Sequence, residues 1–191
     1  MRFISYLNEK RSKDVVSVDI QPMYKNYINF NLSEYFDWLS NQREILYFFN
    51  GPDTVGEDTK QDILSWMIYD YDFPEEKIND IIFFDKGYAF FRGWMDQGVD
   101  ETTLKKALRH MINNKVNDSR EIDPEEWEEI IGNQDIYYDD MIHLPDIPLN
   151  ILKKFSGSYL TGGGRNECLK EVKILMDVLN IRYTMVRDFI F

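Results

Sequence analysis

Three predicted strands end next to residues that can take part in covalent chemistry. A β-branched run carries Asp19 at its end, an Ile/Phe run precedes Lys86, and a triglycine leads from a further strand to Cys168. In parallel sheets, ligands bind beyond the carboxyl ends of the strands. The sequence therefore predicts that these three side chains lie together at one edge of a sheet.

Asp19, Lys86 and Cys168 form a combination suited to nucleophilic catalysis. Cys168 is expected in the first turn of a helix, where the helix dipole and unpaired backbone N–H groups stabilise a thiolate. A nearby acid can take the thiol proton, and a lysine can hold the anionic pair together. Glycines 162–164 allow a sharp backbone turn that points amides toward a developing oxyanion. The pattern predicts attack of a thiol on a carbonyl carbon.

Hydrophobic periodicity indicates the elements that position these residues. Five strands are predicted, at Val15–Ile20, Arg43–Asn50, Ile81–Phe84, Ser158–Thr161 and Ile181–Val186. Helices are predicted at Leu32–Leu39, Thr59–Tyr69, Glu101–Asn113, Leu149–Phe155 and Asn166–Leu179, with a further one beginning at Asp123-Pro124. Because strands and helices alternate, we expect an α/β fold with a mainly parallel sheet and helices on both faces. Residues 1–191 are expected to form a single domain.

An acidic segment separates the third predicted strand from the fourth. Eleven acids and one arginine lie between Val116 and Asp146, a local net charge of −10 within a chain total of −12. Acids near the start of the helix at Asp123-Pro124 favour helix formation. We predict a partly helical insertion at about 100–148, whose acids are typical of a solvated surface.

Three motifs, in this order, resemble those of the isochorismatase-like cysteine hydrolases, a family that includes nicotinamidases and other small-amide hydrolases. Val18-Asp19-Ile20-Gln21-Pro22-Met23-Tyr24 resembles the family's V-D-x-Q motif and the aromatic residue that follows it. Lys86-Gly87-Tyr88-Ala89-Phe90-Phe91 is similar to its lysine motif. Gly162-Gly163-Gly164-Arg165-Asn166-Glu167-Cys168-Leu169 resembles its nucleophile motif, G-x-x-T-x-x-C-V. The resemblance covers roughly residues 15–95 and 158–191.

The resemblance implies a three-layer α/β sandwich with a catalytic site. In it, Asp19 is the base, Lys86 the orienting cation and Cys168 the nucleophile. It also implies a cis peptide between Gly163 and Gly164, with the amides of Gly164 and Cys168 as the oxyanion hole. The activity it implies is hydrolysis of a small amide or related C–N bond, with no cofactor.

The chain departs from the family pattern beside the nucleophile. Arg165 occupies the family's threonine position, and its guanidinium suits a carboxylate or phosphate on the substrate. Gln21 and Trp94 are further candidate substrate-binding residues. Alternatively, Arg165 pairs with Glu167 or Glu171 and blocks the pocket, which would leave a pseudoenzyme. The aspartate and histidines with which nicotinamidases bind a metal have no counterpart after the second strand, so we expect neither that activity nor a metal.

Two functions of other classes also fit the sequence. Acids near the strand ends suit Mg²⁺ or Mn²⁺ and are typical of PIN-like metal-dependent nucleases. These acids are Asp19, Asp53, Glu57, Asp58 and Asp85, with Glu167 or Asp188 late in the chain. The third candidate is a non-catalytic interaction protein that retains the fold and binds through its acidic segment or exposed aromatic residues.

Composition limits the remaining possibilities. A net charge of −12 disfavours nucleic acid and anionic membranes as partners, which leaves a small-molecule substrate as the expected partner and homo-oligomerisation open. No apolar run is long enough to span a membrane, and the first ten residues are too polar for a signal sequence, so we expect a cytoplasmic protein. One cysteine excludes an internal disulfide, and with only two histidines a zinc site is not expected.

Overall fold

The β-branched and aromatic runs of the sequence form a parallel sheet. The computed structural model describes residues 12–51, 58–86, 90–132, 142–144 and 146–191. The strands in these ranges are β1 (Val15–Val18), β2 (Ile45–Phe49), β3 (Ile81–Asp85), β4 (Ser158–Gly162) and β5 (Tyr183–Ile190). All pair in parallel, in the order β3-β2-β1-β4-β5. The predicted α/β class and parallel sheet are therefore confirmed.

Amphipathic segments form the helices. Those in the described ranges are α1 (Leu32–Ser40), α2 (Lys60–Tyr71), α3 (Arg92–Asp96), α4 (Glu101–Asn114), α5 (Pro124–Ile131), α6 (Asp146–Lys154) and α7 (Cys168–Val178). Short 3-10 helices cover Pro22–Tyr24, Glu75–Asp80 and Ser119–Glu121. Side chains of Asn31, Thr59, Asp100 and Asp123 cap the first turns of α1, α2, α4 and α5, as expected of residues that favour that position.

Helices cover both faces of the sheet. Along β1, Val15 packs in a core with the apolar residues of α1 and α2, whereas Val16 packs in a second core with those of α3 to α7. Neighbouring strand residues point to opposite faces, so a strand buried on both sides has no polar alternation. This accounts for the unbroken apolar run of β2 and for β1, in which the only polar residue, Ser17, is also buried.

The register of the sheet aligns the carboxyl ends of its strands. Val18, the last residue of β1, lies opposite Phe48 of β2 and Gly162 of β4. Phe49 of β2 in turn lies opposite Asp85 of β3. Residues that follow these positions therefore emerge at the same edge, where a site can form from separate segments of the chain.

Element boundaries differ from the predictions in two places that matter for this edge. The last helix begins at Cys168 rather than Asn166, because Gly164 to Glu167 form a turn closed by a hydrogen bond from Glu167 N to Gly164 O. The last strand continues to Ile190 and does not end at Val186. Its continuation was not predicted because exposed polar residues interrupt its apolar pattern, as is usual for a strand at the edge of a sheet.

The connection from β3 to β4 contains α3 to α6. Its described part is largely helical, as expected for the acidic segment. Asp135, Asp139 and Asp140 lie outside the described residues. That the segment is an insertion stays a prediction.

Candidate active site

A pocket opens at the carboxyl edge of the sheet, beside Asp19 and Cys168. Its volume is about 540 Å³. Its walls comprise Asp19, Tyr24, Tyr27, the segment Gly164–Cys168 and Phe191. The pocket thus joins the end of β1 to the turn before α7.

Asp19 is buried at the pocket in an unusual backbone conformation. Its amide donates to Phe48 O (2.9 Å), which continues the ladder of β1 by one residue. Its φ of 52° is in the left-handed region, which is sparsely populated by residues other than glycine. Neither carboxylate oxygen makes a hydrogen bond of normal geometry to the described residues. Strained and under-satisfied groups of this kind are concentrated at functional sites.

Lys86 lies directly behind Asp19. Its Nζ is 3.2 Å from Asp19 Oδ2, and the exposed fractions of the two side chains are 0% and 3%. The same Nζ donates to Asn50 Oδ1 at 2.7 Å. The backbone of Lys86 is held by β2, since its amide donates to Phe49 O. A desolvated ion pair therefore lies beneath the pocket floor.

Cys168 is the first residue of α7 and lines the pocket beside Asp19. Its thiol lies close enough to the Asp19 carboxylate for each group to shift the pKa of the other, and both groups act electrostatically on Lys86. Asp19, Lys86 and Cys168, which come from three distant parts of the sequence, are thus brought together by the structure. Their catalytic roles stay predictions.

The glycines before α7 make the close approach of β4 and β1 possible. A Cβ on Gly162 would lie 2.0 Å from Val18 O, so only glycine fits there. One on Gly163 would meet the ring of Phe191. The cis peptide expected between Gly163 and Gly164 is contradicted, because the described residues contain no cis peptide bond. Gly164 turns the chain instead by a φ of 62° with a trans peptide, which avoids the cost of a cis bond.

Burial and charge determine which group of the site holds the proton. Burial, and next the Asp19 charge, raises the pKa of the Cys168 thiol to about 12, against the opposing influence of Lys86. Burial also raises the pKa of Asp19. Burial lowers the pKa of Lys86, but the charges of Asp19, Cys168 and Glu171 outweigh it and raise that pKa. These shifts disfavour the expected stabilised thiolate and favour a neutral thiol beside the Asp19–Lys86 ion pair.

The two residues whose amides are the predicted oxyanion donors lie in the pocket wall. Gly164 and Cys168 both line it, and within the described part of the chain their amides donate to no acceptor. A Cβ built on Gly164 would lie 3.0 Å from Cys168 N, so the two residues are close together. Free amides at a helix start are suited to hold a negative oxygen.

Arg165 is exposed at the pocket rim and does not close it. Its amide donates to Phe191 O (3.0 Å), which positions the turn. Its guanidinium forms no ion pair with a described acid, because Glu167 lies 3.4 Å from Arg92 Nη2 and Glu171 is buried below the turn. The expected alternative, in which Arg165 pairs with Glu167 or Glu171, is not what the structure shows.

Two predicted substrate-binding residues lie outside the pocket wall. The buried Gln21 side chain accepts from Asn50 N (2.9 Å) and donates to Asn50 O (3.1 Å) and Asp58 Oδ2 (3.3 Å). Its amide is thus used to hold the end of β2. Trp94 is buried in the core on the α3 side and packs edge-on against Trp127, because a large apolar ring is better accommodated there than at a wet pocket. We therefore revise both assignments to structural ones.

The acids of the nuclease alternative are dispersed in the described residues. Asp58 accepts from Met23 N (2.7 Å), and Asp85 accepts from Gly51 N (2.9 Å), so both hold loops. Asp188 is exposed on β5, and Asp53 and Glu57 lie outside the described residues. Within the described ranges, no group of three or more His, Cys, Asp or Glu side chains is arranged to hold a metal ion.

Sequence reasoning missed two residues of the site, Asn50 and Tyr24, and placed a third, Glu171, wrongly beside Arg165. Asn50 appeared only as the last residue of the predicted second strand, and Tyr24 only as an aromatic position in a motif. Glu171, three residues after Cys168, faces the interior: its Oε1 accepts from Phe91 N (2.6 Å), and its Oε2 has no described partner. Burial raises the pKa of Glu171 to about 7, although Lys86 opposes the shift. A charged residue on the apolar side of a helix was the available signal.

No family model, curated protein or solved structure matches the chain. Within the described ranges, no helix combines the length and apolar character needed to cross a membrane.

Proposed function

We propose that this protein is a cysteine hydrolase of small amides or related C–N compounds, of the isochorismatase-like kind. One observation carries the proposal: a buried Asp19–Lys86 ion pair meets the Cys168 thiol at a pocket. The carboxylate oxygens of Asp19 lack hydrogen bonds of normal geometry within the described residues. Burying a carboxylate in this state costs folding free energy. Groups that carry such a cost are concentrated at functional sites.

The resting proton distribution favours general-base catalysis. Asp19 takes the thiol proton as the Cys168 sulfur forms a bond to the carbonyl carbon, and the carbonyl π electrons move to oxygen. The Gly164 and Cys168 amides hold that oxyanion. The C–N bond then breaks, and Asp19 returns its proton to the leaving amine.

Water completes the cycle. Asp19 takes a proton from water as the water oxygen attacks the thioester, and the C–S bond then breaks as Asp19 returns that proton to the leaving sulfur. Throughout these steps, the Lys86 cation stabilises the negative charge of Asp19 in the protein interior. No metal or cofactor is required by this sequence of steps.

Arg165 indicates the class of substrate. An exposed guanidinium with no described carboxylate partner, on the rim beside the nucleophile, suits an anionic group on the substrate. We therefore propose a substrate that carries a carboxylate or phosphate a few bonds from the scissile amide.

Ammonia release from succinamate and from butyramide tests both the hydrolase activity and the anionic substrate class, since the two amides differ mainly in the carboxylate. We expect Cys168-dependent release, with succinamate preferred by about 10-fold and the preference lost in Arg165→Gln. Arg182→Gln removes an exposed arginine away from the pocket and is the matched control. Equal turnover by wild type and Cys168→Ala would contradict the hydrolase, and an unchanged preference in Arg165→Gln would contradict the substrate class alone.

A further inference from the structure

A chain of polar contacts leads from the buried ion pair to the pocket wall. Lys86 Nζ donates to Asn50 Oδ1 (2.7 Å), and Asn50 Nδ2 donates to Tyr24 Oη (2.6 Å). Gln21 holds the Asn50 backbone from both sides, which leaves the Asn50 side chain little freedom to change its orientation. The contact with the Lys86 cation polarises the Asn50 amide and strengthens its donation to Tyr24.

The direction of these hydrogen bonds determines whether the Tyr24 hydroxyl can donate its proton to a ligand. The Asn50 amide nitrogen has only hydrogens to offer, so Tyr24 Oη must accept from it. The hydroxyl proton of Tyr24 is therefore directed elsewhere, and no described residue accepts it. Tyr24 is only partly buried and lines the pocket together with Asp19 and Cys168.

We infer that Tyr24 is a specificity-determining residue whose hydroxyl donates a hydrogen bond to an acceptor oxygen or nitrogen on the bound substrate. The inference rests on the proposed hydrolase function and adds to it a requirement on the substrate. The acyl compound must carry an acceptor close to its scissile carbonyl. A site built around a directed donor discriminates against analogues that leave the donor unpaired.

Tyr24 acts as a hydrogen-bond donor and not as the proton donor of the reaction. Burial raises the pKa of Tyr24, and the hydrogen bond from Asn50 only partly offsets this effect. A phenol with a raised pKa keeps its proton at neutral pH. Asp19, which has taken the thiol proton, is the better acid for the leaving amine.

A matched pair of esters tests the inference. The acyl groups of 4-nitrophenyl methoxyacetate and 4-nitrophenyl butyrate have nearly the same shape, but only the first has an ether oxygen beside the carbonyl. The rate of 4-nitrophenolate release on acylation of Cys168 is measured for both esters in each variant. The intrinsic reactivities of the esters cancel when the rate ratio of a variant is compared with that of wild type.

We expect the methoxyacetate-to-butyrate ratio to fall about 3- to 10-fold in Tyr24→Phe, as for loss of one neutral hydrogen bond. Asn50→Asp should lower the ratio similarly, because a carboxylate would accept the Tyr24 hydroxyl proton and turn it from the pocket. In the double variant, the second change should add less than about 2-fold, since both act through one hydrogen bond. Tyr69→Phe removes a hydroxyl from a highly exposed ring and is the control.

The possible results separate the two proposals. A ratio that is the same in wild type and Tyr24→Phe would overturn the role of Tyr24, as would fully additive effects of Tyr24→Phe and Asn50→Asp. If wild type shows no Cys168-dependent acylation by either ester, the hydrolase proposal fails and the inference fails with it.

Discussion

Two buried polar regions are centred on Ser17 in β1 and on Asp19 directly after β1, and they differ in how completely their groups are paired. Around Ser17, the Tyr35 hydroxyl contacts Ser17 Oγ (2.8 Å) and Thr161 Oγ1 (3.3 Å), so each of these three neutral hydroxyls has a hydrogen-bond partner. We call these three residues the hydroxyl cluster. Around Asp19, the groups are charged, and several carboxylate oxygens lack hydrogen bonds of normal geometry within the described residues.

The difference shows which region is built for stability and which for chemistry. A neutral cluster in which every hydroxyl has a partner contributes modestly to stability and carries no charge that needs a counter-ion. The charged site of Asp19, Lys86, Cys168 and Glu171 places three ionisable side chains and a thiol in a desolvated space, at a cost in folding free energy. Such a cost is typical of sites whose missing partners are supplied by a substrate.

Lys86→Met should produce the largest effect. Removing one partner of a buried ion pair costs about 3 to 5 kcal/mol of unfolding free energy. The loss should also abolish acylation, because Asp19 without Lys86 would hold a proton at neutral pH. Urea denaturation at pH 7 measures the stability. Lys77→Met, which breaks a partly exposed pair with Asp80, should cost about 1 kcal/mol or less, and equal losses in the two variants would contradict the comparison.

Asp19→Asn should have opposite effects on amide hydrolysis and on alkylation of the Cys168 thiol. Amide hydrolysis should fall about 10²- to 10⁴-fold, the usual contribution of a general base. Alkylation of Cys168 by iodoacetamide should become faster, because the Asp19 charge no longer raises the thiol pKa. Asp37→Asn, a change of one exposed acid on α1, should alter neither rate. Parallel loss of both reactivities would indicate that Asp19 stabilises a resting thiolate instead.

Glu171→Gln should change how stability depends on pH. The pKa of Glu171 is about 7 in the folded protein, above its ordinary 4.5, so the folded state binds the proton more tightly than the unfolded state. The contribution of Glu171 to the free energy of unfolding is fully present below about pH 4.5 and is lost as the pH rises through about 7. The variant should therefore gain up to about 3 kcal/mol on wild type between pH 4.5 and 8.

Thermal unfolding at a series of pH values measures this gain. Glu129→Gln, an exposed change on α5, is the control and should show no such trend. A stability difference between Glu171→Gln and wild type that does not vary with pH would show that Glu171 is not a buried acid of raised pKa.

Tyr35→Phe should have the smallest effect and should be confined to stability. It removes one neutral hydroxyl from the hydroxyl cluster, which costs about 1 kcal/mol of unfolding free energy. Acylation of Cys168 should be unchanged, as measured with the 4-nitrophenyl esters. A loss of activity without loss of stability would show that the two regions are not independent.

The sequence predicted the fold well because its signals are local. β-branched and aromatic runs indicated β1 to β4, and the triglycine and helix start placed Cys168 near its observed position. The continuation of β5 to Ile190 was missed because exposed polar residues lie between its buried ones. Edge strands have one unprotected side, so their pattern is weaker than that of central strands.

The site was only partly predictable, because its electrostatics depend on burial. The spacing of Asp19, Lys86 and Cys168 predicted their meeting at one edge of the sheet. It did not reveal that burial raises the thiol pKa to about 12, which disfavours a resting thiolate. Asn50 was missed for a related reason, since its importance lies in its contacts with two residues distant in sequence.

The central claim is that Asp19 deprotonates a neutral Cys168 thiol during attack on an acyl group. The most direct test is intact-protein mass spectrometry after brief exposure to 4-nitrophenyl hydrogen succinate at pH 7. Because the chain has one cysteine, any thioester is assigned without ambiguity. We predict one acyl group on wild type, formed faster than on N-acetylcysteine, with slow formation in Asp19→Asn and none in Cys168→Ala. Acylation of wild type no faster than that of N-acetylcysteine, or unaffected by Asp19→Asn, would contradict the account.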